Sequence, residues 1–474
     1  MNVNQILRFS IGPVGAAILS LITLPVISWT FSQADIGKIA LFQVFISLSV
    51  LIFTMGLDQA FVREFYDEKD KEGLFKICIF PSVIVTLIVL SSILYIDETL
   101  ISQLMFGVYS FKLSFIVSIC LFLSIISRFL SLILRMENRG LAFSMSQILP
   151  KIFYLIFIFL IGFFFKVKDF SYLLYGNLIS ILLANFIFIF NTRGFLFRKN
   201  VVVNITKIIP LMKFGLPLIV GGFAFWGLTG FDRFLIKELS DFEQLGIYSL
   251  SVSFASVAII FQSVFSTVWA PIIYRWSSEG LDVSKLDKIT MNVVVIATIL
   301  FSLVGCFSWV LSYILPQDYL LVMYIVLPCL LYPIFYTISE TTGIGIAITK
   351  KTSFSMFSTL LSFIINIISN IALIPIYGAI GASISSAISF WFLLVFKTEF
   401  SSKIWNNRPR FYIYFVTFVM LLSSIAFSTV GRQFYTLFLI YFALLFFMSI
   451  YKARYLFEAM YIYLFSRWKD NSES

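Results

Sequence analysis

The chain has 474 residues, of which 60% are hydrophobic and only 12% are charged, and its formal net charge is +10. An ordinary soluble domain has about 25% charged residues, so this composition excludes a soluble protein and indicates one that crosses a membrane many times. Apolar runs of about 20 residues recur along the chain. A backbone in hydrocarbon must satisfy its own hydrogen bonds, so these runs predict helices and an all-α fold.

The apolar runs predict about fourteen transmembrane helices. The first run does not end in a small-residue cleavage site, so we interpret it as a retained span rather than a signal peptide. The four cysteines lie within or at the edges of the runs, which indicates buried thiols, and we expect no metal or cofactor. The predicted spans cover residues 9–31, 36–57, 75–95, 113–134, 141–165, 170–191, 211–236, 245–273, 288–310, 319–345, 352–375, 378–397, 410–429 and 433–451.

Basic residues are concentrated in every second loop between the predicted spans. Examples are ENRG at 137–140, NTRGFLFRKN at 191–200 and SSKIWNNRPR at 401–410, whereas the intervening loops are short and nearly neutral. Cytoplasmic loops of membrane proteins carry the excess of lysine and arginine. Both termini are therefore predicted to be cytoplasmic. The positive net charge follows from this topology and does not indicate nucleic-acid binding.

Two short echoes indicate an internal repeat. The loop after the first predicted span reads SQADIGKIALF and the loop after the seventh reads SDFEQLGIYSL, with Gly37 and Gly246 in register 209 residues apart. AFSM at 142–145 recurs as SFSM at 353–356, an offset of 211 residues. Six spans per half place both halves in the same orientation, so they would be related by an axis along the membrane normal.

The repeat and the span count together predict a division of the chain into three parts. Two six-helix bundles related by a pseudo-twofold axis would be followed by two C-terminal helices and a cytoplasmic tail. The predicted boundaries are residues 1–200, 201–400 and 401–474.

Two segments carry a resemblance to a known family. GLDQAFVREFYDEKD at 56–70 closes the second predicted span, and GFDRFLIKELSDFEQLGIYSL at 230–250 closes the seventh. These segments resemble signatures of the bacterial flippases that move oligosaccharide repeat units of O-antigen and capsule. That family shares a superfamily with multidrug and toxic-compound exporters and with peptidoglycan-precursor flippases. The resemblance extends over the whole chain in span count and in the two six-span halves.

The resemblance implies a bacterial inner-membrane protein. Its expected activity is transfer of a polyprenyl-diphosphate-linked oligosaccharide, such as one carried by undecaprenyl diphosphate, from the cytoplasmic to the outer leaflet. Transfer would occur by alternating access of two bundles around a central, partly cationic cavity. Expected partners are this lipid-linked substrate, membrane lipids and the polymerase and chain-length machinery of surface polysaccharide synthesis. Coupling to H⁺ or Na⁺ stays open.

Lys151 is the clearest candidate for a substrate-binding residue. It lies about ten residues into the fifth predicted span, near the middle of the membrane, directly after Pro150. Ser144, Gln147 and Lys151 are three and four residues apart, so they form one polar stripe on an apolar helix. A charge within a span costs about 2.5–3.5 kcal/mol on insertion scales and usually faces a cavity or a partner. The alternative is a lysine that locks two helices through a buried carboxylate or carbonyl.

The fourth predicted span supplies a second candidate cation. Arg128 lies about two turns from the predicted cytoplasmic boundary, where it would either extend its guanidinium to the interface or line a cationic path for a diphosphate.

Two acid–arginine combinations lie at span ends and suggest gate or rim sites. Asp58 and Arg63 are five residues apart, so we expect contacts with other helices rather than with one another. Asp232 and Arg233 are adjacent and point about 100° apart on a helix, so each needs its own partner. Arg233 is expected to pair with Asp241 or Glu243 in the next loop. The alternative is a pair of helix-end salt bridges without a transport role.

Glu340, late in the tenth predicted span, is the candidate for ion coupling. It is flanked by Ser339 and Thr341, and it would either bind a proton or sodium ion or pair with Lys350 or Lys351. The sequence contains no histidine, so a protonation switch would have to use such a carboxylate.

Enzyme functions fit the sequence poorly. No predicted outer loop is long, no histidine is present, and there is no glycine-rich phosphate loop followed by lysine, so we predict a transporter rather than an enzyme. The remaining alternative is an ion-coupled exporter of drugs or small solutes with the same architecture. Cavity charge distinguishes the two, because an exporter of cations requires a negative cavity, whereas Lys151 and Arg128 favour an anionic cargo.

Overall fold

A computed structural model describes residues 3–165, 169–198, 205–279 and 283–472. In these ranges the secondary structure consists of helices without strands, which confirms the predicted all-α fold. The helices of the first half are α1 Val3–Thr30, α2 Gln33–Phe53, α3 Leu57–Glu64, α4 Lys71–Ile96, α5 Leu100–Phe106, α6 Phe111–Met136, α7 Gly140–Phe164, α8 Phe170–Leu196, α9 Ile208–Leu239 and α10 Phe242–Ala255. Those of the second half are α11 Val257–Glu279, α12 Val283–Phe307, α13 Leu311–Ile314, α14 Val322–Thr342, α15 Ile344–Ile348, α16 Ser353–Tyr377, α17 Ala379–Ile404, α18 Phe411–Val430 and α19 Tyr435–Ser472.

Thirteen helices among the described residues are long and apolar enough to cross a membrane, and they coincide with thirteen of the predicted spans. The exception is the predicted span 245–273, which the structure divides into α10 and α11. With 14 residues, α10 is too short to cross a bilayer of about 30 Å at 1.5 Å per residue. The break at Ser256 carries no proline or glycine, so the sequence offered no signal for it.

The chain forms two compact units, Met1–Ser253 and Phe254–Ser474. We call them the first and the second unit. These units are defined by compactness and not by sequence symmetry. They do not test the predicted six-helix bundles at 1–200 and 201–400, which stay a prediction.

An aromatic cluster organises the first unit around α3. The rings of Phe61 and Phe75 lie 5.8 Å apart, edge to face, and Phe75 makes similar contacts with Phe129 at 6.2 Å and Phe195 at 5.8 Å. Such pairs add stability beyond the area that they bury. Because Phe61 and Phe129 are fixed in this cluster, the polar residues that neighbour them on α3 and α6 are fixed as well.

Glycines allow the closest helix contacts of the first unit. Gly56 precedes α3 in the left-handed region, with φ of 70°, and a Cβ there would collide with the Gly215 carbonyl on α9. At the other end of α2, a Cβ at Gly37 would collide with the Phe242 carbonyl, and one at Gly246 with the Gln33 carbonyl. Only glycine fits these close approaches. The register of Gly37 and Gly246 therefore has a structural cause, a backbone-to-backbone crossing of α2 and α10.

The second unit is packed around α14, whose spanning window is 83% buried. Helices α16 and α17 pack closely through small and polar side chains, including Asn366 and Ser389, which are fully buried. The hydroxyl of Ser389 donates to the carbonyl of Ser385 one turn earlier, at 2.6 Å, so burial of this serine leaves its donor satisfied. This packing holds α17 and its late residues in place.

Candidate functional site

Lys151 reaches from α7 to α1 in the first unit. Its Nζ donates to the Ala16 carbonyl at 3.0 Å and to the Ser20 hydroxyl, which itself donates to the Ala16 carbonyl at 2.9 Å. Among the side chains that the structure describes, no carboxylate lies within ion-pair distance of Lys151. The contact with a carbonyl corresponds to the helix-locking alternative, but its acceptors are neutral and leave the charge of the ammonium uncompensated.

The other two members of the polar stripe on α7 differ from each other. Ser144 is fully buried where α7 meets Gly12 of α1, and a Cβ at Gly12 would lie 2.8 Å from the Ser144 Cα. Gln147 is partly exposed and makes no side-chain hydrogen bond with the described residues. Ser144 therefore contributes to packing, whereas Gln147 and Lys151 keep polar atoms available. Their role in a cavity remains a prediction.

Arg128 and Asp58 form an ion pair between α6 and α3. The Asp58 Oδ2 atom accepts from Nη2 of Arg128 at 2.8 Å and from Nε at 3.1 Å. The aspartate side chain is 9% exposed and that of the arginine 37%. The structure thus brings together a predicted cavity residue and a predicted gate residue, and the charge of Arg128 is largely neutralised.

Arg63 also faces another helix. Its guanidinium carbon lies 4.2 Å from the centroid of the Phe214 ring on α9, and its Nε is 3.4 Å from the Glu64 carboxylate. Cation–π contacts of this kind contribute about 0.5–1 kcal/mol when exposed. Arg63 is therefore not a partner of Asp58, and it holds the last turn of α3 against α9.

Asp232 and Arg233 meet at Tyr248. The Tyr248 hydroxyl donates to Oδ2 of the buried Asp232 at 2.7 Å, and the guanidinium of Arg233 lies 5.7 Å from the centroid of the Tyr248 ring. Arg233 also donates to the Thr229 carbonyl at 3.2 Å. The expected pairing of Arg233 with Asp241 or Glu243 is not formed among the described residues, because the guanidinium folds back over the tyrosine.

A cavity of about 240 Å³ that includes polar side chains lies in the second unit near the ends of α14 and α17. The Oε2 atom of Glu340 accepts from the Ser266 hydroxyl at 2.6 Å, and the Glu340 carbonyl accepts from Nε1 of Trp269 at 3.2 Å. Lys397 faces the same cavity and attracts Glu340 electrostatically without a direct ion pair. The expected pairing of Glu340 with Lys350 or Lys351 is not formed in the described residues.

Sequence reasoning missed Lys397. It is the last residue of the predicted span 378–397, a position where a lysine ordinarily anchors the helix at the cytoplasmic surface. The structure extends α17 to Ile404, which places Lys397 nearly two turns inside the helix end. A longer apolar run would have indicated that α17 continues beyond this lysine. The polar sequence KTEFSSK, which follows Phe396, ends the run instead.

The basic loops predicted to be cytoplasmic are tied down by carboxylates. Arg408 is 10% exposed and donates to Asp287 at 2.7 Å, to the Thr290 hydroxyl at 2.8 Å and to the Thr341 carbonyl at 3.0 Å. Arg198 lies 2.6 Å from Glu72, whose charge and hydrogen bond raise the pKa of the guanidinium above its ordinary value. Arginines of these loops therefore fix the ends of the helices.

Comparison with known proteins gives the family and the fold. A family model described as polysaccharide biosynthesis protein matches residues 4–277. No curated protein matches significantly.

Two solved structures are informative. One is described as lipid II flippase MurJ in an inward closed conformation; it is 17% identical, with a TM-score of 0.70, over 95% of this chain and 99% of that one. The other is an inward-facing multidrug resistance MATE family transporter of the MOP superfamily; it is 15% identical, with a TM-score of 0.58, over 84% of this chain and 97% of that one. At these identities the likeness shows the fold alone.

Proposed function

Since the chain belongs to the polysaccharide biosynthesis protein family, we propose that it is a flippase for a lipid-linked oligosaccharide. The proposed cargo is a polyprenyl-diphosphate-linked repeat unit of a surface polysaccharide such as O-antigen or capsule. It would move from the cytoplasmic to the outer leaflet of the bacterial inner membrane. Both chain termini would be cytoplasmic, and the polymerase and chain-length machinery would take over the exported unit.

Lys151 supports an anionic cargo most directly. Its ammonium is held by the Ala16 carbonyl and the Ser20 hydroxyl, two neutral acceptors that orient the charge without cancelling it. An unneutralised charge in a membrane-spanning helix is costly and is generally retained for function. A diphosphate is the natural ligand, because a lysine ammonium binds phosphate oxygens as a compact point charge. Gln147, one turn away, would donate to an oxygen of the same group or of the first sugar.

The ion pair of Arg128 and Asp58 limits how far the cationic path extends. A guanidinium that already donates two hydrogen bonds to one carboxylate oxygen has less to offer a phosphate. We therefore assign Arg128 and Asp58 to a helix clamp beside the path, together with Arg63. Asp232 and Arg233 keep their proposed place at a rim, where Tyr248 holds both.

The second candidate function is an ion-coupled exporter of drugs or small solutes. It is favoured by Glu340, a partly buried carboxylate in a cavity, since a cationic cargo or a coupling ion needs such a group. The two functions differ in the sign of the charge on the cargo. A neutralised Lys151 should weaken the export of an anionic lipid but should not affect the export of a lipophilic cation.

The test is to delete the gene, restore it on a plasmid and measure polyprenyl-diphosphate-linked repeat units on each face of the inner membrane. We expect the units to accumulate on the cytoplasmic face and the plasmid to reverse this. Plasmids encoding Lys151→Ala and Lys151→Arg are compared at equal membrane levels. Lys112→Ala is the matched control, because Lys112 lies at an exposed end of α6 over the Tyr175 ring, at 5.2 Å.

Lys151→Ala should reduce export at least tenfold, the loss that corresponds to one charge-assisted contact. Lys151→Arg should retain part of it, and Lys112→Ala should equal the wild type. Normal export by Lys151→Ala would remove the main argument for the site. An unchanged distribution of repeat units after deletion, with new sensitivity to lipophilic cations, would assign the protein to the exporters.

A further inference from the structure

Lys397 faces the cavity of the second unit, and its ammonium has no hydrogen-bond acceptor among the described residues. We propose that this cavity is a second oxyanion site, in which Lys397 binds a phosphate oxygen of the cargo while Glu340, its internal counter-ion, takes up a proton. The ligand class is a diphosphate diester that joins a lipid to a sugar. This inference rests on the proposed function and specifies where, besides Lys151, the anionic head is recognised.

The ammonium of Lys397 lies over an aromatic ring. Nζ of Lys397 lies 4.6 Å from the centroid of the Tyr336 ring. Among the side chains that the structure describes, no acceptor is within hydrogen-bond distance of this ammonium. An ammonium has three N–H donors, and leaving them without acceptors in a partly buried place is costly. The ring steadies the charge, and the donors remain available to an oxyanion.

Glu340, the counter-ion, is held by neutral groups of α11. Glu340 is held from α11 through the Ser266 hydroxyl at 2.6 Å and through its own carbonyl, which accepts from Trp269. These contacts keep the carboxylate near Lys397 but not in direct contact with it. Two opposite charges that face one cavity without touching leave space for a ligand atom between them.

The size of the cavity suits a charged head group. The cavity volume of about 240 Å³ corresponds to about eight water molecules at ~30 Å³ each. Sites for drug-sized ligands measure about 300–1,000 Å³, so this cavity is too small for an oligosaccharide and large enough for its charged head. Its remaining polar lining includes Thr352 and Ser355 at the start of α16, whose hydroxyls add donors for oxyanion oxygens.

Uptake of a proton requires a titratable group beside the cavity. The described titratable side chains that face Glu340 are Lys397 on α17 and Tyr336 on its own helix, while α11 contributes the neutral Ser266 and Trp269. A phosphate brought beside an ionised Glu340 would place two negative charges together, which favours protonation of the carboxyl group. Tyrosine is already protonated at neutral pH, so the proton goes to Glu340. A sodium ion would be repelled by the ammonium of Lys397.

The sign of this linkage has a consequence for energy coupling. Anion and proton binding assist one another here, so the two would travel together, whereas proton antiport requires that they compete. Glu340 would therefore act in recognition rather than in antiport. The membrane potential, negative inside, favours outward movement of an anionic cargo.

The experiment uses the purified full-length protein in lipid nanodiscs and measures binding of geranylgeranyl diphosphate, with geranylgeraniol as the uncharged control probe. Affinity is determined between pH 5 and pH 8, and proton uptake is followed in a weakly buffered solution. Variants are Lys397→Ala, Lys397→Arg, Glu340→Gln and Lys403→Ala. Lys403 is the matched control, because it is an exposed lysine on the same helix α17.

We expect the wild type to bind the diphosphate with uptake of about one proton, and its affinity to rise up to about tenfold per pH unit on acidification. Glu340→Gln should bind the diphosphate tightly without proton uptake. The pH dependence of affinity that remains in this variant measures protonation of the probe itself. Lys397→Ala should bind at least tenfold more weakly at every pH. Lys397→Arg should retain binding, and Lys403→Ala should equal the wild type.

If folded Lys397→Ala binds geranylgeranyl diphosphate with the affinity of the wild type, the inference is overturned. It is also overturned if the affinity of Glu340→Gln depends on pH as strongly as that of the wild type. Failure of the wild type to bind geranylgeranyl diphosphate more tightly than geranylgeraniol would also overturn it. The proposed function is judged separately, by the accumulation of repeat units in the deletion strain. Accumulation together with unaffected Lys397→Ala would reject only this second site.

Discussion

In the first unit the carboxylate of Asp58 contacts Arg128, and in the second unit that of Glu340 contacts α11, the helix that carries Trp269. The predicted repeat relates these two places. The offset of 211 residues places Asp58 at Trp269 and Arg128 at Ser339, directly beside Glu340. In the first unit the carboxylate is bound by a guanidinium at 2.8 Å. In the second unit it is bound by a hydroxyl at 2.6 Å, and the lysine of the same cavity stays out of contact.

The difference shows how one architecture can serve packing or binding. A charge pair that is closed on itself fixes two helices and offers little to a ligand, because both partners are already satisfied. A pair held apart by separate neutral contacts keeps its charges available. On the proposals made above, the first region is a clamp and the second a binding site, and three substitutions test the distinction.

Gly56→Ala should have the largest effect and should disrupt the clamp alone. Alanine would have to adopt the positive φ of this position, which a residue with a Cβ disfavours, and its Cβ would collide with the Gly215 backbone. We therefore expect a loss of about 3 kcal/mol in the free energy of unfolding. Unfolding in detergent, followed by a thiol-reactive dye, measures it. Gly107→Ala is the control, since Gly107 has φ of 69° and open space around it. Equal losses for both variants would show that backbone strain, and not the contact with α9, is responsible.

Asp58→Asn should lower the free energy of unfolding by about 2 kcal/mol. Fully buried pairs cost about 3–5 kcal/mol when one partner is removed, but Arg128 is 37% exposed and water compensates in part. Arg128→Gln and the double variant complete a cycle, whose coupling energy measures the pair itself. A coupling energy near zero would mean that the two residues do not form a clamp.

Ser266→Ala should have the smallest effect, about 1 kcal/mol or less, because it removes one hydrogen bond to a carboxylate that water can reach. Its effect on ligand binding should exceed its effect on stability, since Glu340 would be free to turn toward Lys397 and neutralise it. Binding of geranylgeranyl diphosphate to this variant provides the measurement. Tighter binding than in the wild type would contradict the idea that Ser266 holds the counter-ion away.

The sequence sufficed for the fold because hydrocarbon admits few structures. Composition and run length predicted helices and all thirteen spans observed among the described residues. The motifs around Asp58 and Asp232 indicated the family. The break between α10 and α11 was not predicted, since no proline or glycine marks Ser256.

The site was predictable only in part. Lys151 and Arg128 were found because charges in apolar runs are rare, but the partner of Arg128 lies 70 residues away and no spacing rule connects it to Asp58. Lys397 was missed because a lysine at a predicted span boundary is ordinarily an anchor. Which charges are neutralised depends on helix packing, and that decides which of them can bind.

Arg408 has a consequence for how such a protein can change over evolutionary time. Its guanidinium, in the loop before α18, is shared among acceptors on α12 and α14, including the Thr341 carbonyl beside Glu340. Loss of the last two spans together with this loop would leave the buried Thr290 hydroxyl and the Thr341 carbonyl without that donor. The last two spans, α18 and α19, are thus not independent of the rest of the second unit. We expect a lineage that gained or lost them to carry accompanying substitutions in α12 and α14.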